Sequence, residues 1–322
     1  MMRLEWKPRT CLELLESYTS TGRNPQKLQF TDVGDRDVYN ITAPFWNEGE
    51  WYLAGRVEQR DSEDSEVIFF TCIEDVWTPC LHLPRYQLQD PFITKIDEEW
   101  IMGGVELYFE PSDTEKKIRG WKTILYRGTT LHQLKHAGSG PWNMKDIRFI
   151  QMYNGEVGLF SRPFSVDGRV AVIGFSTVES FDILCEMIII NAKVFTDQFV
   201  KEEWGGANEV HLLGNGLLGV LGHISYIDEQ GNRHYHSMTF ALNPFTREKT
   251  KIKIIAVRSD FLPGPSKRPD LTDVIFSGGL IRQGNQRAML YVGVGDAEAH
   301  CMDIEDPFTE YETINVQISD KS

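Results

Sequence analysis

Hydrophobic positions alternate with polar ones over short runs of the chain and seldom recur at helical spacing. The runs are rich in β-branched and aromatic residues, and Gly, Asn and Asp separate them. This pattern is typical of strands joined by tight turns. Only CLELLESY, at residues 11–18, has the spacing of a short amphipathic helix. The pattern therefore predicts an all-β fold with a short N-terminal helical segment.

One arrangement occurs five times: an apolar run, a tight polar turn and a second apolar run. The turns fall near Glu48-Gly49, Asp97-Glu98, Asn154-Gly155, Asn215-Gly216 and Gly284-Asn285. Asn-Gly, found at two of them, is a strong signal for a β-hairpin. The turns are about 50 to 70 residues apart, enough for a four-stranded sheet each time, and such a repeat is typical of a β-propeller.

We therefore predict one five-bladed β-propeller domain over residues 1–322. The blade hairpins are expected near 38–58, 88–107, 146–163, 207–224 and 272–296. A β-sandwich is the alternative, but a sandwich is not expected to repeat one hairpin five times.

Polar residues stand at the open ends of these hairpins. Residues equidistant from a hairpin turn face each other across the ladder. The expected pairs are Asn40 with Arg56, Asp90 with Glu106, Arg148 with Arg162, Asn208 with His223, and Asp273 or a neighbour with Asp296. If the hairpins form the inner strands of the blades, the pairs meet in one pocket at the propeller axis. The alternative is that strand ends are polar because they meet solvent.

Composition narrows the range of partners. The formal net charge of −14 and the pI near 5.1 argue against nucleic acid or an anionic membrane. The first residues contain no uninterrupted apolar run, so no secretory signal is expected. The longest apolar stretch, ILCEMIIINA, is too short to span a bilayer. Five scattered cysteines without a CxxC motif favour reduced thiols. These features predict a cytoplasmic protein.

The expected pocket combines acids, cations and a histidine. Arginine forks match phosphate oxygens, and glycoside cleavage normally uses two carboxylates. If phosphate is the nucleophile, the second carboxylate is unnecessary and a cluster of cations holds the phosphate instead. The candidate cluster is Arg56, Lys145, Arg148, Arg162 and His223. A hydrolase would need a carboxylate to activate water, from Glu58, Glu106 or Asp296.

An aspartic acid that donates a proton near neutral pH needs a raised pKa. Burial and the neighbouring Glu106 would raise the pKa of Asp90, whereas Arg56 would lower it. The balance between these effects stays open at the level of sequence.

Six segments together carry a resemblance to known families. They are YNITAPF, GRVE, QDPFIT, KDIRFIQMYNGEVGLFSRP, LGNGLLGVLGHIS and VIFSGGL with LYVGVGDAE. In this order, between about residues 30 and 305, they resemble glycoside hydrolase family 130 and, more closely, glycosyltransferase family 108. The first resemblance implies five-bladed propellers that phosphorolyse mannosides, many of them β-1,2-linked. The second implies β-1,2-mannosyltransferases and phosphorylases that make and degrade the reserve polymer mannogen.

The resemblance also implies roles for residues. Asp90 resembles the proton donor, which is thought to act through a hydroxyl of the mannosyl ring. Asn40, Arg56 and Glu58 resemble residues that line the sugar and phosphate site. Positions that resemble phosphate ligands are Lys145, Asp146 and Arg162. His223 resembles the histidine of a Tyr-His-Gly motif, and Asp296 an acid that binds mannose hydroxyls.

Two positions depart from the family pattern. Gln89-Asp90-Pro91-Phe92 replaces Glu-Asp-Pro-Arg, so the arginine next to the acid is missing, and Gly222 replaces the tyrosine before His223. Taking pairing and resemblance together, the predicted site has Asp90 as the catalytic acid. We predict phosphate binding by Arg56, Lys145, Arg148, Arg162 and His223, and sugar binding by Asn40, Glu58, Glu106, Asp146, Asn208 and Asp296.

The predicted enzyme transfers mannosyl groups of β-1,2-mannosides, by reversible phosphorolysis to mannose 1-phosphate, by transfer from GDP-mannose, or both. The expected partners are a mannose-containing oligosaccharide and inorganic phosphate, with no metal and no other cofactor. The alternatives are an inverting β-mannoside hydrolase and a sugar-binding propeller without catalysis.

Three other segments have simpler interpretations. His234 and His236 share one face of a strand, but without a third ligand nearby an exposed strand is favoured over a metal site. The acidic run at residues 58–66 predicts a solvated loop from which only Glu58 reaches the pocket. The proline-rich, basic segment at residues 259–270 predicts a loop between the last blades.

Overall fold

The computed structural model describes residues 7–111, 117–164 and 168–315. The other parts of the predicted 1–322 domain, namely 1–6, 112–116, 165–167 and 316–322, lie outside the described residues. Strands dominate the described residues and all helices are short, so the all-β prediction is confirmed. The N-terminal helix is present as α1 (Cys11–Glu16), and Thr10 and Glu13 form a capping box at its start.

The strands fall into five groups of neighbours. The first strand, β1 (Arg23–Lys27), pairs with the last group. Group 1 contains β2 (Gln29–Phe30), β3 (Asp37–Tyr39), β4 (Phe45–Asn47), β5 (Glu50–Glu58), β6 (Glu66–Ile73) and β7 (Val76–Pro79). Group 2 contains β8 (Gln89–Ile96), β9 (Glu99–Phe109), β10 (Ile118–Gly128) and β11 (Lys135–Ser139). Group 3 contains β12 (Arg148–Gln151), β13 (Val157–Ser161), β14 (Gly174–Val178) and β15 (Lys193–Val194).

The remaining strands form one larger sheet. Group 4 contains β16 (Trp204–Leu212), β17 (Leu218–Ile227), β18 (Arg233–Leu242) and β19 (Lys253–Ala256). Group 5 contains β20 (Asp273–Gly284), β21 (Arg287–Val294) and β22 (Glu298–Glu305), with β1 beside β22. A short parallel pairing of β18 with β20 joins groups 4 and 5 into an eight-stranded sheet. The other helices, α2 (Glu186–Ile190) and α3 (Thr309–Glu312), lie in connections.

Hydrogen-bonded neighbours within each group pair antiparallel except β2 and β7, which pair parallel. Each group contains a hairpin. The hairpins are β4–β5, β8–β9, β12–β13, β16–β17 and β20–β21. Their turns are those on which the sequence analysis based its repeat.

Four of the five predicted cross-strand pairs are wrong by one or two residues, and the fifth, Asp273 with Asp296, agrees with the register of Ile275 opposite Val294. The observed partners are Tyr39 with Arg56, Gln89 with Val105, Arg148 with Phe160, and Gly206 with His223. The register shifts between Gln89 and Phe92 and between Ala207 and Glu209. At these two places a β-bulge inserts an extra residue on one strand, so equal counting from the turn misses the true partner. In β12–β13 there is no bulge, and the pairing is centred on Asn154 rather than on Gly155.

Five buried apolar clusters lie between the groups. They include Phe69 with Trp100 between groups 1 and 2, Leu125 with Leu159 between 2 and 3, Phe160 with Phe240 between 3 and 4, Leu221 with Leu290 between 4 and 5, and Ile68 with Ala299 between 5 and 1. Burial of apolar surface contributes about 25 cal/mol per Å², so these clusters are the main source of stability. The last cluster brings group 5 against group 1.

All five cysteines lie within the described residues, and none forms a disulfide bond. In the described parts of the chain, no helix is both long enough and apolar enough to cross a membrane.

Candidate active site

A cavity of about 200 Å³ lies among the five groups, and every group contributes to its wall. Eight of the twelve predicted site residues line it: Asn40, Arg56, Asp90, Lys145, Asp146, Arg162, His223 and Asp296. The structure therefore brings together residues that are far apart in sequence, as the hairpin repeat predicts.

Four of these residues adopt a left-handed backbone conformation. The φ angles are 43° at Asn40, 48° at Asp90, 57° at Asp146 and 52° at Asp296. Asn and Asp tolerate this region better than other side chains that carry a Cβ. Such strained positions are concentrated at functional sites. The backbone at the cavity thus accounts for the residue type at all four positions.

Asp90 is held on one side only. Its Oδ1 accepts hydrogen bonds from Asn40 Nδ2 at 2.8 Å and from Arg56 Nη1 at 3.1 Å. Its Oδ2 has no hydrogen-bond partner among the described residues. Burial raises the pKa of Asp90, but Arg56, Lys145 and Asn40 together lower it by more than burial raises it. The pKa of Asp90 therefore lies below its ordinary value. The effects that lower the pKa are therefore stronger than those that raise it, and the ligand-free cavity favours the carboxylate form of Asp90.

Arg56 is surrounded by acceptors. Its Nη2 donates to both oxygens of Glu58, at 3.0 and 3.1 Å, and to Glu63 Oε2 at 3.2 Å. Its Nε donates to Ser65 Oγ at 3.1 Å. Burial alone would lower the pKa of Arg56, but neighbouring acidic groups hold it well above the usual range. This guanidinium is therefore a fixed cation beside Asp90.

In another part of the cavity wall, Asp146 and Arg162 form a buried ion pair. Arg162 Nη1 lies 3.0 Å from Asp146 Oδ2, and Arg162 Nε donates to Gly205 O at 3.1 Å. A Cβ at Gly206 would lie 2.7 Å from Asp146 Oδ2 and 2.8 Å from His223 Cε1. Glycine is therefore required there for these side chains to converge.

His223 is a neutral imidazole. Its Nδ1 lies 2.9 Å from Asn208 Oδ1, and its ring stacks on Tyr235 with a centroid distance of 5.4 Å. Because an amide oxygen only accepts, Nδ1 carries the proton and Nε2 presents a lone pair. Burial lowers the pKa of His223 to about 3, outweighing the opposing effect of Asp146.

Lys145 and Asp296 face the cavity without partners. Neither side chain makes a hydrogen bond or an ion pair with any described residue. Desolvation and the nearby Asp90 raise the pKa of Asp296, and Arg56 only partly opposes them. The cavity thus offers one cation without an ion-pair partner and one carboxyl group whose pKa is raised by its surroundings.

A second cavity of about 410 Å³ adjoins the first. The two share Gln89, Lys145, Arg162, Arg233 and Tyr235. The remaining wall of the second cavity is mainly apolar and includes Val105, Leu107, Trp121, Phe164 and Trp204. Three cations therefore stand at the boundary between a polar and an apolar compartment.

Arg148 and Glu106, both predicted to bind a ligand, lie outside the cavity wall. The Arg148 guanidinium packs over the Phe92 ring at 4.5 Å and donates to Ile147 O at 2.9 Å. Glu106 follows the alternation of β9, in which Val105 and Leu107 face the second cavity, so Glu106 points to the other face. The structure does not support direct ligand contact by these two residues.

The last two of the twelve predicted site residues, Glu58 and Asn208, do not line the cavity but contact residues that do. Glu58 holds Arg56, and Asn208 orients His223. From the acidic loop it is Glu63 that lines the cavity, so the prediction that only Glu58 reaches it is wrong. The reason is that Glu58, within β5, is turned toward buried donors, whereas Glu63 lies in the loop that follows.

Several wall residues escaped sequence analysis. They are Glu63, Gln89, Arg233, Tyr235, Arg268, Leu271, Val274 and Phe276. Adjacency to Asp90 was an available signal for Gln89, and the proline-rich basic loop was one for Arg268. Asp270 links Arg233 and Arg268, with Arg268 Nε 3.0 Å from Asp270 Oδ1.

The two histidines of β18 have separate surroundings. His234 Nδ1 lies 2.7 Å from Asp273 Oδ2, and its Nε2 lies 3.2 Å from Asp228 Oδ2. His236 is buried, so the predicted exposed strand is wrong at this position. Over the described ranges, no group of three or more His, Cys, Asp or Glu side chains is placed to hold a metal ion.

Comparison with known proteins identifies the family. The family model described as "Protein of unknown function (DUF1861)" matches residues 17–310. No curated protein matches the sequence. A mannose phosphorylase from Leishmania mexicana, solved in complex with a phosphate ion, has 36% identity and a TM-score of 0.84 over 92% of this chain and 92% of that chain.

Two further structures extend the comparison. A GDP-Man-dependent mannosyltransferase from Leishmania mexicana has 33% identity and a TM-score of 0.84 over 94% of this chain and 95% of that chain. A β-1,2-mannobiose phosphorylase from Listeria innocua shares the fold at 12% identity, with a TM-score of 0.59 over 92% and 95% of the two chains. The chain therefore belongs to the DUF1861 family, and its resemblance to glycosyltransferase family 108 is confirmed.

Proposed function

We propose that the chain is an enzyme that transfers the mannosyl group of β-1,2-mannosides, by reversible phosphorolysis to mannose 1-phosphate. The observation that carries this proposal is one cavity lined by Lys145, which has no ion-pair partner, by Arg162, and by Asp90, which is hydrogen-bonded through Oδ1 only. The relatives described as a mannose phosphorylase and a GDP-Man-dependent mannosyltransferase support it. Transfer from GDP-mannose is the second route for the same site.

The proposal includes the architecture around the site. We treat the chain as one domain in which the five strand groups are five propeller blades around the cavity. The cyclic order of the buried clusters supports this, because group 5 packs on group 1 as well as on group 4. The open ends of the hairpins would then meet at the axis, where propellers bind ligands.

Phosphate would bind on the Lys145 side. Lys145 and Arg162 supply charge, and the Nε2 lone pair of His223 accepts a hydrogen bond from a protonated phosphate oxygen. A phosphate oxygen then attacks the anomeric carbon while the bond from that carbon to the bridging oxygen breaks. The electron pair of the broken bond stays on the bridging oxygen, which takes a proton to become a hydroxyl.

Asp90 would supply that proton through Oδ2, directly or by way of a mannosyl hydroxyl as the family resemblance implies. It must therefore be protonated in the reacting complex, although its pKa is low in the free site. A phosphate dianion at Lys145 offsets the cations that lower this pKa, so phosphate binding favours protonation of Asp90. The acid becomes competent when its co-substrate is present.

The sugar would lie between the two halves of the cavity. Asn40, Asp146 and Asp296 supply hydrogen-bonding groups for mannosyl hydroxyls, and a protonated Asp296 can donate. The adjoining apolar cavity has room for the rest of the mannoside or for the nucleoside of GDP-mannose. In this mechanism inorganic phosphate or GDP-mannose is a co-substrate, and no metal or other cofactor is required.

The test is incubation of the protein with β-1,2-mannobiose and longer β-1,2-mannosides, with and without inorganic phosphate. Mannose 1-phosphate formed only in the presence of phosphate supports phosphorolysis. Free mannose formed without phosphate would identify a hydrolase, and binding without turnover would identify a sugar-binding protein. A parallel reaction with GDP-mannose and a mannoside acceptor tests the transferase route.

A further inference from the structure

Lys267 is a buried lysine that no sequence feature marks as functional. It lies in the proline-rich loop before β20, and its side chain is only 4% exposed. Its Nζ donates to Ser62 O at 2.7 Å, to Glu63 Oε1 at 3.0 Å and to the Glu58 carboxylate. A buried ammonium is costly unless it is paired and fully hydrogen-bonded, and here all three of its protons have acceptors. The loop is therefore anchored by this one side chain.

Glu58 connects this anchor to the cavity. Its side chain has no exposed surface, and it accepts from both Lys267 and Arg56. Arg56 uses Nη2 for Glu58 and Nη1 for Asp90. A continuous chain of charges therefore runs from Lys267 through Glu58 and Arg56 to Asp90.

We propose that Lys267 is a positioning residue, which through Glu58 holds Arg56 beside Asp90 without lining the cavity itself. The inference rests on the proposed function, because it concerns Asp90 as the proton donor. Lys267 acts by sharing the charge of Glu58, so that Arg56 is not drawn entirely toward that carboxylate and keeps a donor for Asp90.

The same loop also supports the wall beside Asp296. The backbone N–H of Lys267 donates to Gly295 O at 2.8 Å. Gly295 has a φ of 59°, and a Cβ there would lie 3.0 Å from Pro265 O. Asp296 follows directly, so the loop fixes the turn that carries it as well as the Glu58 carboxylate.

Removing the charge of Lys267 should shift the pKa of Asp90 in a defined direction. One positive charge disappears from the chain of charges that ends at Asp90, and Glu58 attracts Arg56 more strongly. Both changes favour the protonated form of Asp90, so its pKa rises. Replacing Glu58 by glutamine has the opposite direction, because a negative charge disappears and Arg56 is released toward Asp90. A merely structural role would not produce opposite shifts.

The experiment compares Lys267→Met, Lys267→Arg and Glu58→Gln with the wild type. Lys27→Met is the matched control, because Lys27 also makes an ion pair with a buried glutamate, Glu298, away from the cavity wall. The readouts are the pH dependence of phosphorolysis, the Tm, and the titration of the Asp90 carboxyl followed by carbon-detected NMR on the protein without substrate.

We expect Lys267→Met to raise the Asp90 titration midpoint by about one pH unit and to move the alkaline limb of the rate profile the same way. Lys267→Arg should have nearly the wild-type Asp90 midpoint and rate profile. Glu58→Gln should lower the midpoint. The control Lys27→Met should change neither the midpoint nor the profile. A Lys267→Met protein with a lower Tm but wild-type titration and profile would overturn the proposal.

The NMR titration separates this inference from the proposed function. If the wild type shows no phosphorolysis, the proposed function fails, while the Asp90 midpoints still decide whether Lys267 positions Arg56. If Lys267→Met does not fold, Glu58→Gln and Lys267→Arg decide, and an unchanged midpoint in Glu58→Gln would count against the proposal.

Discussion

The two walls of the cavity differ in how far their charges are satisfied within the protein. On the Arg56 wall, the guanidinium has Asp90, Glu58 and Glu63 as ion-pair partners. On the Lys145 wall, Arg162 has one carboxylate as ion-pair partner, and Lys145 makes no hydrogen bond or ion pair with any described residue. The cation of the first wall is paired without a ligand, whereas the cation Lys145 of the second wall is left to pair with an anion.

This difference assigns separate tasks to the two walls. Fixed, paired groups lower the cost of reorganisation during a reaction, which suits the wall that carries the proton donor. An unpaired cation in a cavity attracts anions, which suits the wall that binds phosphate. Substitutions on the two walls should therefore have effects of different kinds as well as different sizes.

The largest expected effect is on the paired wall. Asp90→Asn keeps the size of the side chain and removes its proton, so turnover should fall by about a thousandfold or more. The measurement is the initial rate of mannose 1-phosphate release, with the Tm as a check that the fold is intact. Full activity in this variant would remove Asp90 from its assigned role.

The second prediction distinguishes the roles of Lys145 and Arg162 on the other wall. Lys145→Met removes a charge that has no partner, so the apparent KM for phosphate should rise about tenfold to a hundredfold at nearly constant Tm. Arg162→Ala should weaken phosphate binding similarly, but it also leaves Asp146 buried without its ion-pair partner. That loss should cost about 3–5 kcal/mol of stability.

Urea unfolding and phosphate titration of both variants test this contrast. Lys122→Met is a matched control, because Lys122 pairs with Glu186 outside the cavity at 2.7 Å. An unchanged phosphate KM in Lys145→Met would mean that the unpaired cation does not bind phosphate.

The hairpins are easier to predict from the sequence than the cavity wall that they build. Turn chemistry is local, so Asn154-Gly155 and Asn215-Gly216 indicate their hairpins without tertiary information. Bulges are not visible in this way, and the bulge after Gln89 shifts the partner that was expected for Asp90. Alternation then places Glu106 on the wrong face of its strand for the predicted role.

Loop residues were the harder case. Glu63 and Lys267 are more than 200 residues apart, yet they form an ion pair at 3.0 Å beside the cavity. Nothing in their local sequence indicates this contact, because it depends on how groups 1 and 5 pack. Spacing within hairpins could therefore predict Asp90 and Arg162, but it could not predict residues contributed by long connections.

A smaller effect concerns pH and stability. The unfolded chain protonates His223 near pH 6.5, whereas the folded protein does so only near pH 3. Between these values the unfolded state binds the extra proton, so stability falls as the pH decreases, by at most about 1.4 kcal/mol per pH unit. In His223→Gln this contribution is absent, and the free energy of unfolding should fall less steeply between pH 6.5 and 4. Equal slopes would mean that His223 is protonated in the folded protein.

The smallest effect tests the division between the walls directly. Glu63 faces the cavity, with a side chain 35% exposed, and pairs with Arg56 and Lys267. Glu63→Gln removes a negative charge from a cavity that must accept phosphate, so the phosphate KM should decrease. The partly exposed position limits the change to about 1 kcal/mol, or at most about fivefold. The effect should shrink at high salt, because screening weakens interactions between exposed charges. A higher phosphate KM in Glu63→Gln would instead show that the pairing of Arg56 and Lys267 with Glu63 is needed for phosphate binding.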